Sequence, residues 1–217
     1  MYKIDLHTHS VTSPDGSLNL ADYCNILESG RLDYIAITDH DTTDFALSAR
    51  QALGERIIVG EEITTLDGEL IGLFLKETIP PGLTAAETAR HIHAQGGLVY
   101  VPHPFETVRK GLTLAVLRDL RDLVDIIEVH NGRAIFQNRG KAAQQWAHAH
   151  ALAMAASSDA HGKYGWGKTY SVIPDVPTRD TLVQFLGHTE AELYTGMVGV
   201  RGILYPKFNR LRKRGSR

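Results

Sequence analysis

The chain opens on Tyr2-Lys3-Ile4-Asp5-Leu6-His7-Thr8-His9-Ser10. Ile4 and Leu6 alternate with Asp5, His7 and His9, so the stretch reads as a β-strand running out to a polar end. Successive side chains on a strand point to opposite faces, which sets His7 and His9 side by side. Two imidazoles held that close form half of a metal site with little freedom left to lose. A His-x-His pair alone is a weak signal, because surface histidines fall two apart by chance. Its weight comes from the rest of the chain.

Working outward, the same design recurs. Apolar runs at 33–41, 56–64, 98–104, 125–131 and 152–161 end in Asp39-His40-Asp41, Glu61-Glu62, His103, His130 and Asp159-Ala160-His161. A further apolar run lies at 70–75. Between them, helical patterns are expected at 19–29, 85–95, 114–123, 138–151 and 181–186, the first closed by Gly30. Strands alternating with helices predict βαβ units and a parallel sheet. In a closed barrel of that kind the C-terminal strand ends share one rim, the face on which sites are built. Unrelated packing requirements would not place ligand-type side chains at the same end of six runs, so a shared site is expected there. Asp159 and His161 pass the same-face test that His7 and His9 pass. Glu61 and Glu62 point to opposite faces if the strand is still extended, so only one faces the centre. Spacing does not say which.

The chain has eleven histidines, and some fall outside this pattern. His91 and His93, and likewise His148 and His150, sit in helical stretches, where positions two apart diverge by about 200° and cannot grip one ion. His188 follows a helix end, where a cation suits the dipole.

Composition bounds the answer without deciding it. A length of 217 residues suits one globular α/β domain. The single cysteine, Cys24, excludes an intramolecular disulfide and fits a reducing, cytoplasmic setting, with the thiol expected buried in its helix. No signal peptide or membrane span is expected. Net charge is −2, but residues 201–217 carry seven bases and no acid, leaving 16 bases against 25 acids before them. Residues 201–217 are therefore expected to be a solvated basic C-terminal tail after a domain at 1–200, with nucleic-acid binding through that tail as one possible use.

The segments DLHTHS (5–10), SPDG (13–16), ITDHD (37–41), GEEIT (60–64), VPHP (101–104), EVHN (128–131) and SSDAH (157–161) together resemble the polymerase and histidinol phosphatase (PHP) family of metal-dependent phosphoesterases. GWGKTYSVI (165–173) resembles its closing segment. The resemblance implies a distorted (β/α)7 TIM-like barrel in a single α/β domain, with two or three divalent ions, zinc, manganese or iron. It implies His7, His9, Glu62 and Asp159 on one ion, and Glu62 bridging to a second held by His103 and His130. Asp15, His40 and His161 would hold a third. Asp159, His161 and His40 are thereby the candidate catalytic residues, and Asp39 is expected to support a ligand histidine. Some relatives carry a histidine where this chain has Glu69.

The implied chemistry is hydrolysis of a phosphate ester by a hydroxide bridging the ions. The substrate would be a phosphorylated small molecule or a nucleotide. Arg109, Arg133 and Lys168, with Lys110, follow ligand strands and are candidates to contact its phosphate. The loop at 162–167 is a candidate wall or lid. The competing classes are a nuclease trimming nucleic-acid ends, an amidohydrolase, and a non-catalytic metal-bound module.

Overall fold

The computed structural model describes residues 1–134, 137–187, 192–196 and 198–215. The elements run in order as β1 (Tyr2–Asp5), α1 (Leu20–Glu28), β2 (Tyr34–Ile37), α2 (Asp44–Leu53), β3 (Ile57–Thr64), β4 (Glu69–Leu73), α3 (Ala85–Ala94) and β5 (Leu98–Val101). They continue with α4 (Leu114–Leu120), β6 (Ile126–Asn131), α5 (Gly140–Ala149), β7 (Ala153–Ser157), β8 (Thr169–Ile173), α6 (Leu182–Gly187), β9 (Glu192–Thr195) and α7 (Gly199–Gly215). The strands form one sheet in the order β7-β6-β5-β4-β3-β2-β1-β8-β9. That sheet curls into a nearly closed barrel. At the seam the His9 N–H donates to the Ala160 carbonyl at 2.9 Å, and Ser171 of β8 bonds to the backbone of Ala156 in β7.

The barrel is distorted for a reason the chain makes plain. β1, β2 and β3 pair in parallel, as do β5, β6 and β7. β4 runs antiparallel to both neighbours, because the few residues between β3 and β4 allow a reversal but no crossover. β8 and β9 add two antiparallel strands beyond the seven expected. Helix α2, to which the sequence reading assigned no element, packs its Ala46 and Ala49 inward.

Apolar side chains fall into two layers. Ile4, Leu6, Ala36, Ile58, Ile71, Leu98, Tyr100, Ile126 and Ala155 fill one cluster, joined by Leu182 and Leu186 of α6. A larger cluster gathers Tyr23, Ile26, Ala46, Ala89, Ile92, Leu117 and Trp146 from the helices with Ile37, Val59, Val99 and Ile127 from the strands. Buried helix stripes on strands buried on both faces are what an α/β barrel requires. Helices begin where the sequence says they should: Asn19 and Thr84 each cap through a reciprocal box with Asp22 and Glu87.

Three local expectations are corrected. Cys24 is half-buried and directs its thiol to Glu28 Oε1 at 3.3 Å, since it lies at the flank of the helix's apolar stripe. Residues 199–215 are helical and not a frayed tail, because Gly202, Pro206 and Asn209 are buried against the barrel rim. In the loop at 162–167, Trp166 is buried edge-on against Tyr23 and donates its indole N–H to Asp5 Oδ2 at 3.2 Å, so it packs beneath the site and lines neither of the two spaces described below. No described helix is long and apolar enough to cross a membrane.

Candidate metal centre

Strand β1 formally ends at Asp5, yet the backbone stays extended through isolated bridges at Thr8 and Ser10. Thr8 turns outward, its hydroxyl donating to the Ala36 carbonyl at 2.7 Å. His7 and His9, on either side of it, turn inward and bring their Nε2 atoms to 3.1 Å of each other. Asp39 fixes this segment from β2's end, accepting from the Ser10 N–H at 2.7 Å and from its hydroxyl. It therefore holds the main chain beside His9 and not a histidine ring.

Glu62 and Asp159 complete the inner group. Glu62 Oε2 lies 3.4 Å from His7 Nε2 and 3.2 Å from His9 Nε2, and Asp159 Oδ1 lies 3.7 and 3.5 Å from the same two atoms. Ligands about 2.0–2.1 Å from a tetrahedral ion sit about 3.3–3.4 Å from one another. The two imidazole nitrogens stand near that spacing from each other and from each carboxylate, so these residues fit a divalent ion.

Two further groups adjoin it. His103 Nε2 is 3.1 Å from Glu62 Oε1, so Glu62 faces two neighbouring positions with its two oxygens. On the other side Asp15 Oδ1 lies 3.4 Å from His161 Nε2 and 3.7 Å from His40 Nε2. Asp15 Oδ1 and His103 Nδ1 are buried without a hydrogen-bond partner. For Asp15 Oδ1, which faces two imidazoles, a missing ligand is the natural account. The donor set of imidazoles and carboxylates suits zinc, manganese or iron better than magnesium.

Eight of the nine ligand candidates thus fall into three convergent groups: His9, Asp15, His40 and His161; His7, Glu62 and His103; and His7, His9 and Asp159. His130 joins none of them. A register shift between Glu128 and His130 breaks the strand's two-residue alternation. His130 sits beyond it, half-buried. Glu61 faces away and accepts from the Ile79 N–H at 2.9 Å. Of the set-aside histidines, His93 pairs with Asp125 at 2.9 Å, His150 bonds to the Trp146 carbonyl, and His91 and His148 are exposed. His188 lies outside the described residues.

Glu128 is the residue that motif reading passed over. Its Oε1 sits 3.2 Å from His7 Nδ1 and accepts from Tyr100 OH. Its Oε2 accepts from the His103 N–H at 2.6 Å and from Asn131 at 2.9 Å. A carboxylate on Nδ1 fixes the tautomer that turns the Nε2 lone pair inward. The available signal was its place two residues before His130 on a strand whose end faces the rim.

Charges at the rim are strongly interdependent. Burial opposes ionisation of Asp159 and Glu62, but Arg133, His7, His161 and Arg109 hold Asp159 well below the usual carboxylate range, and His7 and His40 do so for Glu62. Burial, with His9 and Arg133 nearby, pushes His161 down to about 3, keeping the imidazole neutral as a ligand must be. Burial and the neighbouring Glu62 push Glu69 up to about 9. His103 and Asp159 both take left-handed backbone angles, φ 30° and 53°, a conformation tolerated where a site over-determines it.

Asp15, His40, Glu62, His103, Asp159 and His161 line a cavity of about 290 Å³, with His7 and His9 buried behind them and Glu69, Val108, Arg109, Lys110, Arg133, Pro206 and Arg210 as its walls. It adjoins a wider groove of about 790 Å³, which shares His40, Glu69, Lys110 and Arg210. Arg109 is engaged with Glu106, Asn131 and Asp159. Arg133 donates to Asp159 Oδ1 at 3.0 Å and leaves its buried Nε without a partner. Lys168 is exposed and lines neither space. Helix α7 contributes Arg210, which donates to Asp15 Oδ2 at 2.6 Å, and Asn209, which donates to the carbonyls of Asp15 and His161.

Comparison with known proteins finds relatives in sequence and in fold. No family model matches the chain. Two uncharacterized proteins of Methanocaldococcus jannaschii are similar to it: one is 33% identical over 63% of this chain and 87% of its own length, the other 32% identical over 77% and 69%. Among solved structures, a two-domain protein of Bacteroides vulgatus containing a predicted PHP-like metal-dependent phosphoesterase superposes with TM-score 0.71 at 22% identity, over 96% of this chain and 69% of that one. PsfC of Pseudomonas syringae gives 0.64 at 15% identity over 100% and 99%. An amidohydrolase of Chromobacterium violaceum, solved with sulfate and no metal, gives 0.57 at 18% over 73% and 87%. The solved structures show that the chain shares the fold of PHP-like metal-dependent phosphoesterases, and its motifs converge at one rim of that fold.

Proposed function

We propose that the protein hydrolyses a phosphate ester, on a phosphorylated small molecule or a nucleotide, with two or three zinc, manganese or iron ions held at the barrel rim. The carrying observation is that His7 and His9 each bring an imidazole nitrogen to 3.2–3.7 Å of both Glu62 and Asp159, beside a cavity walled by Lys110, Arg109 and Arg133. Asp15, His40 and His161 would hold a further ion, and Glu62 Oε1 with His103 would begin another. Bound ions would supply Lewis acidity and lower the pKa of water.

The chain's own residues supply the rest. Arg133 and Arg109 both wall the cavity and both orient Asp159, and Arg133 would bind a phosphoryl oxygen there. Lys110, at the mouth of both spaces, would attract the anion and hold its outer part. Glu128 sets the His7 tautomer. Asp159, His161 and His40 act as ligands that keep the ions in place, and a lone cysteine suits a cytoplasmic enzyme.

An amide-hydrolysing reading draws on the name of the Chromobacterium neighbour, although the sulfate bound there is a tetrahedral anion of phosphate's shape. A nuclease reading would call on the bases of α7, two of which, Arg210 and Lys213, are directed at the protein itself. A turnover screen of the metal-reconstituted protein tests all three. It would span aryl phosphate, mononucleotides, bisphosphorylated nucleotides, sugar phosphates, histidinol phosphate, oligonucleotides and N-acyl amides. Turnover of a phosphate monoester is expected; amide hydrolysis without any phosphate release would overturn the proposal.

A further inference from the structure

Helix α7 has a second face that the site does not use. Gly202, Pro206 and Asn209 are buried against the rim. On the opposite side Val200, Leu204, Phe208 and Leu211 are 73, 39, 61 and 58% exposed. At about 100° per residue these four fall within an arc of about 80°. Arg201 and Arg212 border one edge of that stripe, Lys207 and Arg214 the other, and α7 contains no acidic residue. Single exposed apolar residues are ordinary, but four aligned on one face mark an interaction surface.

We propose that this face docks the protein on an anionic lipid surface, the helix lying in the plane of the headgroups. Charge decides among the possible occupants. A nucleic-acid backbone would call for bases along the centre of the face, where the apolar side chains stand. A second copy packed face to face would bring Lys207 and Arg214 against a face bordered only by bases. A bilayer accepts both features at once, taking the apolar stripe at the acyl boundary while Lys207 and Arg214 reach outward to phosphate; Arg201 lies over the Tyr164 ring at 5.3 Å. The helix lies on the surface and does not span it, since no described helix is long and apolar enough to cross a membrane.

The inner face holds α7 ready for this. Arg210 pairs with Asp15 at 2.6 Å, and Lys213 Nζ donates to the carbonyls of Val11 and Gly16 at 2.6 and 2.9 Å, and to that of Ser13. The helix therefore need not fold on binding, which removes an ordering cost that disordered basic tails bear.

The test is co-flotation of the full-length protein with vesicles of phosphatidylcholine alone and of phosphatidylcholine with phosphatidylserine. Binding to the serine-containing vesicles only, weakened by salt, is expected. Phe208→Glu with Leu211→Glu should reduce the bound fraction at least tenfold, and Lys207→Gln about fivefold. Both variants should keep the parent circular dichroism spectrum. Absence of binding to anionic vesicles, equal binding to both kinds, or unchanged binding by the double variant would overturn the proposal. So would a concentration-dependent dimer in light scattering that the double variant abolishes, which would assign the face to a second copy.

Discussion

His7-Thr8-His9 and His91-Ile92-His93 share a spacing and almost nothing else. On the extended segment after β1 the two imidazoles meet with nitrogens 3.1 Å apart and both are buried. On α3 one histidine is exposed, while the other turns to Asp125. The residue between them makes the same point: Thr8 faces away from the site, whereas Ile92 is buried in the larger apolar cluster. A ligand motif is thus a statement about backbone period as much as about residue type.

The sharpest way to break this comparison is to remove one imidazole from each pair. His7→Ala, or Asp159→Ala on the facing strand end, should lower hydrolysis of an aryl phosphate on the order of 10³-fold with circular dichroism unchanged. His91→Ala should stay within about twofold of the parent. Full activity in His7→Ala would end the case for the metal centre. Chelation followed by readdition asks the same of the ions. Activity should vanish and return with zinc, manganese or iron, and the melting temperature should fall on removal, since a ligand that binds only the folded state stabilises it.

Supporting residues should show smaller losses. Glu128→Gln leaves the shape of the site but removes the charge on His7 Nδ1. Metal affinity, read by titration with a competing chelator, should drop about 10–100-fold. Asp39→Ala removes the acceptor for both the Ser10 N–H and hydroxyl, and should destabilise the fold by roughly 1–3 kcal/mol in denaturant melts.

Glu61 and Glu62 offer the mildest test. They are adjacent and both buried, yet Glu62 is held ionised among imidazoles, while burial pushes Glu61 up to about 7. A carboxyl whose folded pKa is raised binds its proton more tightly when folded. Glu61 therefore stabilises the fold below the unfolded value near 4.5, and that contribution is lost as pH rises through 7. Stability measured from pH 5 to 8 should decline less steeply in Glu61→Gln; an unchanged slope would remove Glu61 from that account.

Much of this was legible in the sequence because ligand type, strand period and chain order are local properties. The capped starts of α1 and α3, the alternation into His7 and His9, and the polar ends of the apolar runs all come from neighbours within a few residues. Long-range packing supplied the rest. β4 reverses for want of a crossover, and Val129 bulges so that Glu128 faces the centre while His130 does not. Residues 201–217 read as a solvated tail by composition, yet Asn209 seats between the carbonyls of Asp15 and His161.

The amino-acid sequence by itself set the list of candidate ligands, His130 among them, and the expectation that the strands carrying them end together. Only the tertiary structure decided that Glu62 and not Glu61 turns inward, that Glu128 orients His7, and that a basic helix closes the rim. These choices depend on contacts between residues separated by tens to hundreds of positions, and no local periodicity encodes such contacts.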